Sequence, residues 1–292
     1  MRVAPECLPC YFTQCLNTMA RLNLEDREKI ELLSRVAEVI PHLPPHGTPA
    51  ANSTVVIHRL ISLLGVEDPF REAKKESNRL ALAYLPRLRR LLNRKKDRIY
   101  WALKLAVAGN VVDLGLFRGY DLERALRQVL REPFAVCDYE IFQSALTPGK
   151  RVLLIGDNAG EIVFDLLLVE ELKRLGLEVV YAVKGGPILN DATLEDAEEA
   201  GMNRVARVIT TGLNYLGVPV DLIAEKFRQE MEGADLIISK GQANFETLEG
   251  EKIAGGKTFF LLKAKCLVVA KALGTEYGKI VFVQNRVKEV TT

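Results

Sequence analysis

The sequence predicts an α/β protein with a doubly wound, mostly parallel sheet, preceded by an all-helical N-terminal domain. Three observations carry this. Up to about residue 148, apolar side chains recur at spacings of three and four, the helical period. A break follows at Thr147-Pro148-Gly149-Lys150. Beyond it, short β-rich runs alternate with helical patterns, as in parallel βαβ units. The expected domains are 1–148, helical, and 149–292, α/β.

In the first part, helical spacing covers Leu16 to Leu24, Ile30 to Ile40, Thr54 to Leu64, Ala73 to Leu92 and Arg98 to Ala108. Pro and Gly punctuate at Pro41 to Pro49, Gly65 to Pro69 and Gly109-Asn110. After the turn Gly115 to Gly119, Asp121 is the expected N-cap of a helix with the apolar face Leu122, Ala125, Leu126 and Val129. In the second part, strands are expected near 151–155, 178–183, 206–210, 235–239, 258–262 and 279–284. Helices are expected near 159–175, 191–200, 220–232 and 264–273.

Composition narrows the function classes. Apolar content of 48% with 27% charged residues describes an ordinary globular chain. A net charge of +2 is too small to argue for nucleic acid. The basic clusters Arg87 to Arg90 and Arg94 to Lys96 lack interleaved aromatics and read as the polar side of a helix. Apolar runs are too short for a membrane span, and Met1 to Glu6 lacks the apolar core of a cleavable signal. Five cysteines without such a leader fit a reducing cytoplasm. Sparse glutamine beside plentiful Lys, Arg and Glu fits a thermophilic source.

The chemistry concentrates at strand ends. Val152 to Ile155 runs into Gly156-Asp157-Asn158-Ala159-Gly160-Glu161. The second strand runs into Lys184-Gly185-Gly186-Pro187 and on to Asn190-Asp191. The fourth runs into Ser239-Lys240-Gly241-Gln242-Ala243-Asn244-Phe245-Glu246, and the fifth ends near Lys263-Ala264-Lys265. In an open parallel sheet these ends share the ligand-binding edge. Asp157 can hold a hard cation, and free N–H groups at the following helix start can hold phosphate. The plainer reading makes Asp157, Asn158 and Asp191 helix caps, and Lys240 and Lys263 solvated strand-end lysines. Gly241 would let a backbone approach a ligand closely. Asn110 and Asp113 mark either a helix end with its turn or a loop closing over the site.

Cys7-Leu8-Pro9-Cys10 is a C-x-x-C, with Cys15 close behind. It reads as half of a structural metal site, as a redox pair, or as buried thiols. Cys266 would join it only through the fold, and Cys137 reads as a core thiol. Dinucleotide binding is disfavoured, because 156–160 is not G-x-G-x-x-G and Lys184 follows the second strand where an acid is needed. The same absence weakens an S-adenosylmethionine methyltransferase. Walker A and G-x-S-x-G motifs are missing.

Together, segments 156–161, 184–191, 239–246 and 262–266 resemble the metal-dependent damage-control phosphatases, long grouped as domain of unknown function eighty-nine. Ala108 to Gly115 and the early C-x-x-C resemble their archaeal-type branch. The resemblance covers nearly the whole chain. It implies a Rossmann-like α/β/α sandwich behind a helical domain. It also implies a divalent metal (Mn²⁺, Co²⁺, Ni²⁺ or Mg²⁺) held by Asp157, Asn158 and Asp191, and hydrolysis of sugar phosphates or damaged phosphometabolites. Lys240, Asn244 and Lys263 match positions near the substrate phosphate. In the eukaryotic branch the acid corresponding to Glu161 lies one residue further on.

The resulting expectation is a cytoplasmic, metal-dependent phosphatase for a small phosphorylated substrate. Asp157, Glu161 and Lys240 form its catalytic set, with Glu161 as base or as partner of the metal ligands. Asn110, Asp113, Gly160, Lys240, Gly241, Asn244 and Lys263 form its substrate-binding set, with the amides of 159–161 as phosphate donors. A carboxyl methyltransferase and a non-catalytic metal- or metabolite-binding protein are the alternatives.

Overall fold

A computed structural model describes residues 1–111 and 119–286. Six helices come first: α1 (Cys7–Met19), α2 (Asp26–Ala37), α3 (Pro49–Leu64), α4 (Arg71–Asn93), α5 (Arg98–Val111) and α6 (Gly119–Arg131). The two-residue strand β1 (Val136–Cys137) and α7 (Tyr139–Ala145) follow. Strict alternation then begins, with β2 (Arg151–Ile155), α8 (Glu161–Arg174), β3 (Glu178–Val183), α9 (Leu194–Ala200), β4 (Arg207–Thr210) and α10 (Glu225–Gly233). It continues through β5 (Leu236–Lys240), α11 (Gln242–Leu248), β6 (Thr258–Lys263), α12 (Leu267–Ala272) and β7 (Ile280–Gln284).

Local chemistry explains several of these boundaries. Val152 to Ile155 are all buried, as in a strand covered on both faces. Thr48 caps α3 by accepting from the Ala51 amide at 3.2 Å, Pro49 opens the helix, and Gly65 closes it in the left-handed region. Helix α8 is apolar almost all round and correspondingly sequestered, from Glu161 to Leu172.

The sheet order is β1-β7-β6-β5-β2-β3-β4, parallel except for β7 against β6. From β2 the chain moves outward through β3 and β4, then returns to place β5 on the other side of β2. The switch point therefore lies between β2 and β5, where open α/β sheets bind ligands.

Helices cover both faces. One core joins Leu85, Leu88, Leu103 and Ala106 of α4 and α5 to Phe164 and Leu168 of α8 and Leu154 of β2. The other face packs Phe227, Phe245 and Val269 against Ile155, Ile237 and Phe260. Helices α1–α3 form a third cluster, with Tyr11, Cys15, Val56 and Leu60 packed against Ile188 and Leu216. That cluster roofs the carboxyl edge of the sheet.

Several expectations are corrected. Residue 148 marks the start of regular alternation but does not separate two cores, since α4 and α5 share one with the sheet and β1 pairs with β7. Helix α1 begins at Cys7, because Cys7, Tyr11, Cys15 and Met19 make one buried stripe at helical spacing. Strand β1 offered only two residues, too few to show a period, and α7 and α11 were not expected. Cys137 is exposed on the edge strand β1 and is not a core thiol. Among the described residues no helix is long and apolar enough to cross a membrane.

Candidate active site

The loop after β2 and the loop after β3 are stitched together by backbone. Ala159 N–H donates to Asn190 O and Ala192 N–H to Asp157 O, each at 2.9 Å, making an isolated antiparallel bridge between Asn158 and Asp191. Asp157, Asn158 and Asp191 thus meet at the switch point. None of them caps a helix. The N-cap of α8 is Gly160, with no side-chain cap, and α9 is capped by Thr193 in a reciprocal box with Asp196.

Both carboxylates are buried, Asp157 at 8% and Asp191 at 3% exposure. Burial raises the Asp157 carboxyl well above its usual range, and the neighbouring Glu161 and Asp191 carboxylates add to this. Burial also raises Asp191, against the opposing pull of Lys184. Asp191 Oδ2 stands 3.5 Å from Lys184 Nζ and has no hydrogen-bond partner. Asn158 Nδ2 donates to Asp157 Oδ2 at 3.1 Å and to Glu161 Oε1 at 2.6 Å. Glu161 is buried and is held in turn by Lys240.

Lys240 is fully buried beneath this face. Its Nζ lies 2.6 Å from Asp165 Oδ1 and 3.1 Å from Glu161 Oε2, and Tyr181 donates its hydroxyl to Asp165 at 2.7 Å. Burial alone would pull the Lys240 ammonium down, but Asp165 and Glu161 hold it raised. Asp165 is pushed up to about 6 by burial, and Lys240 opposes the shift. Lys240 is therefore a charged strut behind the carboxylates and does not contact the cleft. The expected place of Lys240 beside the substrate phosphate does not fit this position.

The cleft in front of Asp157, Asn158 and Asp191 encloses about 420 Å³. One wall carries Cys7, Cys10, Tyr11 and Ser53 from α1 and α3. Another carries Gln242, Glu246, Lys265 and Cys266, and Leu189, Leu216 and Ala243 add apolar surface.

Other expected substrate groups are committed elsewhere. Asn244 donates to Gly156 O at 3.0 Å and to Lys240 O at 2.6 Å, and accepts from Lys184, so it latches loops together. The Gly160 amide donates to Asn78 Oδ1 at 2.7 Å and the Ala159 amide to Asn190, so neither is left for phosphate. Gly241 does permit a close approach, but by a side chain of the protein. A Cβ there would stand 2.0 Å from Asp157 Oδ2. Lys263 is half-buried at the end of β6 and outside the cleft wall, where the cation is Lys265. Asn110 falls in the last turn of α5, whose Gly109 sits tightly against Glu161. The Asn110 side chain and the whole of Asp113 lie outside the described residues.

Sequence reasoning quoted Lys184, Glu246 and Lys265 at strand ends but left them out of the site, and it missed Asp165 altogether. Asp165 carried a legible signal, because a carboxylate inside the otherwise apolar run Ile162 to Val169 requires a buried partner.

Residues 3–281 match the damage-control phosphatase ARMT1-like domain. The chain belongs to that family. It is 36% identical to a damage-control phosphatase of Pyrococcus horikoshii, over 99% of this chain and 100% of that protein. It is 33% identical to a damage-control phosphatase of Archaeoglobus fulgidus, over 96% and 98%. The crystal structure of the Pyrococcus horikoshii DUF89 family protein superposes with a TM-score of 0.90 at 34% identity, covering 98% of this chain and all of that one. The switch-point site thus lies within a damage-control phosphatase domain spanning nearly the whole chain.

Proposed function

We propose that this damage-control phosphatase domain hydrolyses small phosphorylated metabolites, with a divalent cation held by Asp157, Asn158 and Asp191. The observation that carries the metal reading is the buried pair Asp157 and Asp191, with Asp191 Oδ2 making no hydrogen bond and facing only Lys184 at 3.5 Å. Two neighbouring carboxylates taken out of water are both pushed towards their protonated forms, chiefly by burial, and a bound cation would relieve them. Asn158 spends its Nδ2 on Asp157 and Glu161, which leaves the amide oxygen for the ion. This is an oxygen set of the kind accepted by Mg²⁺, Mn²⁺, Co²⁺ or Ni²⁺. It is a sparse one: among the described residues no three His, Cys, Asp or Glu side chains form a ready-made cage. Waters and substrate oxygens would complete the coordination.

When bound, the ion supplies Lewis-acid polarisation of the phosphoryl group. The chain's own residues do the rest. Glu161, braced by Lys240, fixes the Asn158 amide. Lys184 balances Asp191 from behind at 3.5 Å. Lys265, exposed on the cleft wall, is the cation placed to draw in a phosphate ester. The mixed apolar and polar walls receive the remainder of the substrate.

The test is p-nitrophenyl phosphate hydrolysis by chelator-stripped protein, followed by add-back of Mg²⁺, Mn²⁺, Co²⁺, Ni²⁺ or Zn²⁺ in turn. Turnover restored by metal and abolished in Asp157→Ala, with the urea midpoint retained, is the expected result. Undiminished turnover in the stripped protein would remove the metal from the reading. Silence with every metal would remove phosphomonoester hydrolysis.

A further inference from the structure

The damage-control reading leaves the cysteines unused, yet the fold gathers three of them around the cleft. Cys7 and Cys10 stand one turn apart at the start of α1, and both line the wall. Cys266 lines the same cleft, near enough to raise both thiols electrostatically. All are free thiols.

We propose that Cys7 and Cys10 are a redox-active dithiol in the wall of the catalytic cleft, closed to an intramolecular disulfide by low-molecular-weight disulfides. Helix geometry sets Cα atoms three residues apart at about 5 Å, inside the range a disulfide spans. Cys10 is exposed, so a small disulfide reaches it first. The Cys7 sulfur accepts the Ala4 amide at 3.5 Å, which favours its thiolate as the resolving group. The other cysteines are differently placed. Cys15 is fully buried, its thiol pushed up to about 12 by burial. Cys266 caps α12 through the Val269 amide at 3.4 Å and accepts from Gln242 at 3.6 Å. Cys137 stands alone on the far edge strand.

Burial, and then the Glu246 carboxylate, raises both Cys7 and Cys10. Raised thiols attack slowly but also leave poorly, so a bridge once formed is long-lived.

The exchange balances. The Cys10 thiolate attacks one sulfur of an aryl disulfide and expels the first aryl thiolate. The Cys7 thiolate then attacks the Cys10 sulfur and expels the second. Two protein thiols are oxidised, the reagent is reduced to two thiolates, and two protons pass to buffer.

The inference does not rest on phosphatase activity, because its readout is thiol chemistry. The full chain carrying Cys137→Ser is treated with 5,5′-dithiobis(2-nitrobenzoate), then digested and mapped by mass. The expected result is release of two aryl thiolates from the Cys7–Cys10 pair, counted apart from any aryl adduct mapped to Cys266, with loss of two hydrogens mapped to a Cys7–Cys10 bridge that dithiothreitol reverses. Cys7→Ser in the same background should release one aryl thiolate at Cys10 and keep an aryl adduct there, again counted apart from Cys266. Cys10→Ser, at an exposed position, controls for folding and should form no bridge. Stable aryl adducts on both Cys7 and Cys10 of the parent, or a bridge that includes Cys266, would overturn the assignment.

Discussion

Lys240 and Asp165 form a buried ion pair, 2.6 Å from Nζ to Oδ1, directly beneath the carboxylates that face the cleft. The pair comes from β5 and α8, and Glu161 accepts from the same ammonium. The site is therefore braced from below by one positive charge shared between two acids.

Removing that charge strands Asp165. Lys240→Met is expected to cost about 3–5 kcal/mol, because it leaves an uncompensated buried carboxylate. Adding Asp165→Leu should recover much of the loss in stability, but not the activity, since Glu161 still lacks its brace. Urea melts of the two single variants and the double variant check the stability term. A double variant no more stable than Lys240→Met would show that the two residues are not coupled.

Asp157→Asn separates function from stability. The wild-type carboxylate is held against burial and two like-charged neighbours. Its replacement should leave the urea midpoint unchanged or raised, while p-nitrophenyl phosphate turnover falls by more than about 100-fold, beyond what loss of an outer partner costs. A fall in both would return Asp157 to a structural role.

Gly241→Ala should be poorly tolerated for two independent reasons. Its φ of +85° suits glycine, and the added methyl would meet the Asp157 carboxylate. Backbone strain alone costs about 1–3 kcal/mol. The displaced Asp157 should lower activity as well. Thermal melting and turnover of this one variant are the measurements. Gly250→Ala is the control, because its φ is +78° but its Cβ would meet nothing within 4 Å.

Glu246 gives the chain a pH signature. Burial pushes its carboxyl up to about 7, while Gln242 donates to it at 2.9 Å. The folded state therefore keeps a proton that the unfolded chain releases near pH 4.5. Stability from this group is fully present below that pH and is lost as pH rises through about 7. Glu246→Gln should abolish this slope and gain at most about 3 kcal/mol over wild type at pH 8. Melting curves of both proteins from pH 4 to 8 test it; parallel curves would refute the shift.

Much of the α/β half was legible because its periods are local. Strands β2 and β3 fall on the expected residues, since an unbroken apolar run bounded by Gly and charge leaves little choice. The motif at 156–161 was readable as a strand end meeting a helix start, and the turn at Asp191 as a second acidic strand end. Strand β1 was not readable, its two residues being too few for a period, and neither α7 nor α11 was expected.

The sequence by itself thus determined the α/β alternation, the strand ends that bear chemistry, and Asp157, Asn158 and Asp191 as the residues to watch. Only the tertiary structure decided which of those ends meet. It bridged Asn158 to Asp191, set Gly241 against Asp157, buried Lys240 behind Glu161, and brought Cys7 and Cys10 to the same cleft as Cys266. The reason is physical. Hydrophobic period depends on neighbours a few residues apart, whereas these contacts join loops from different strands. Their proximity is fixed by strand order at the switch point and by which groups can be buried together without stranding a charge.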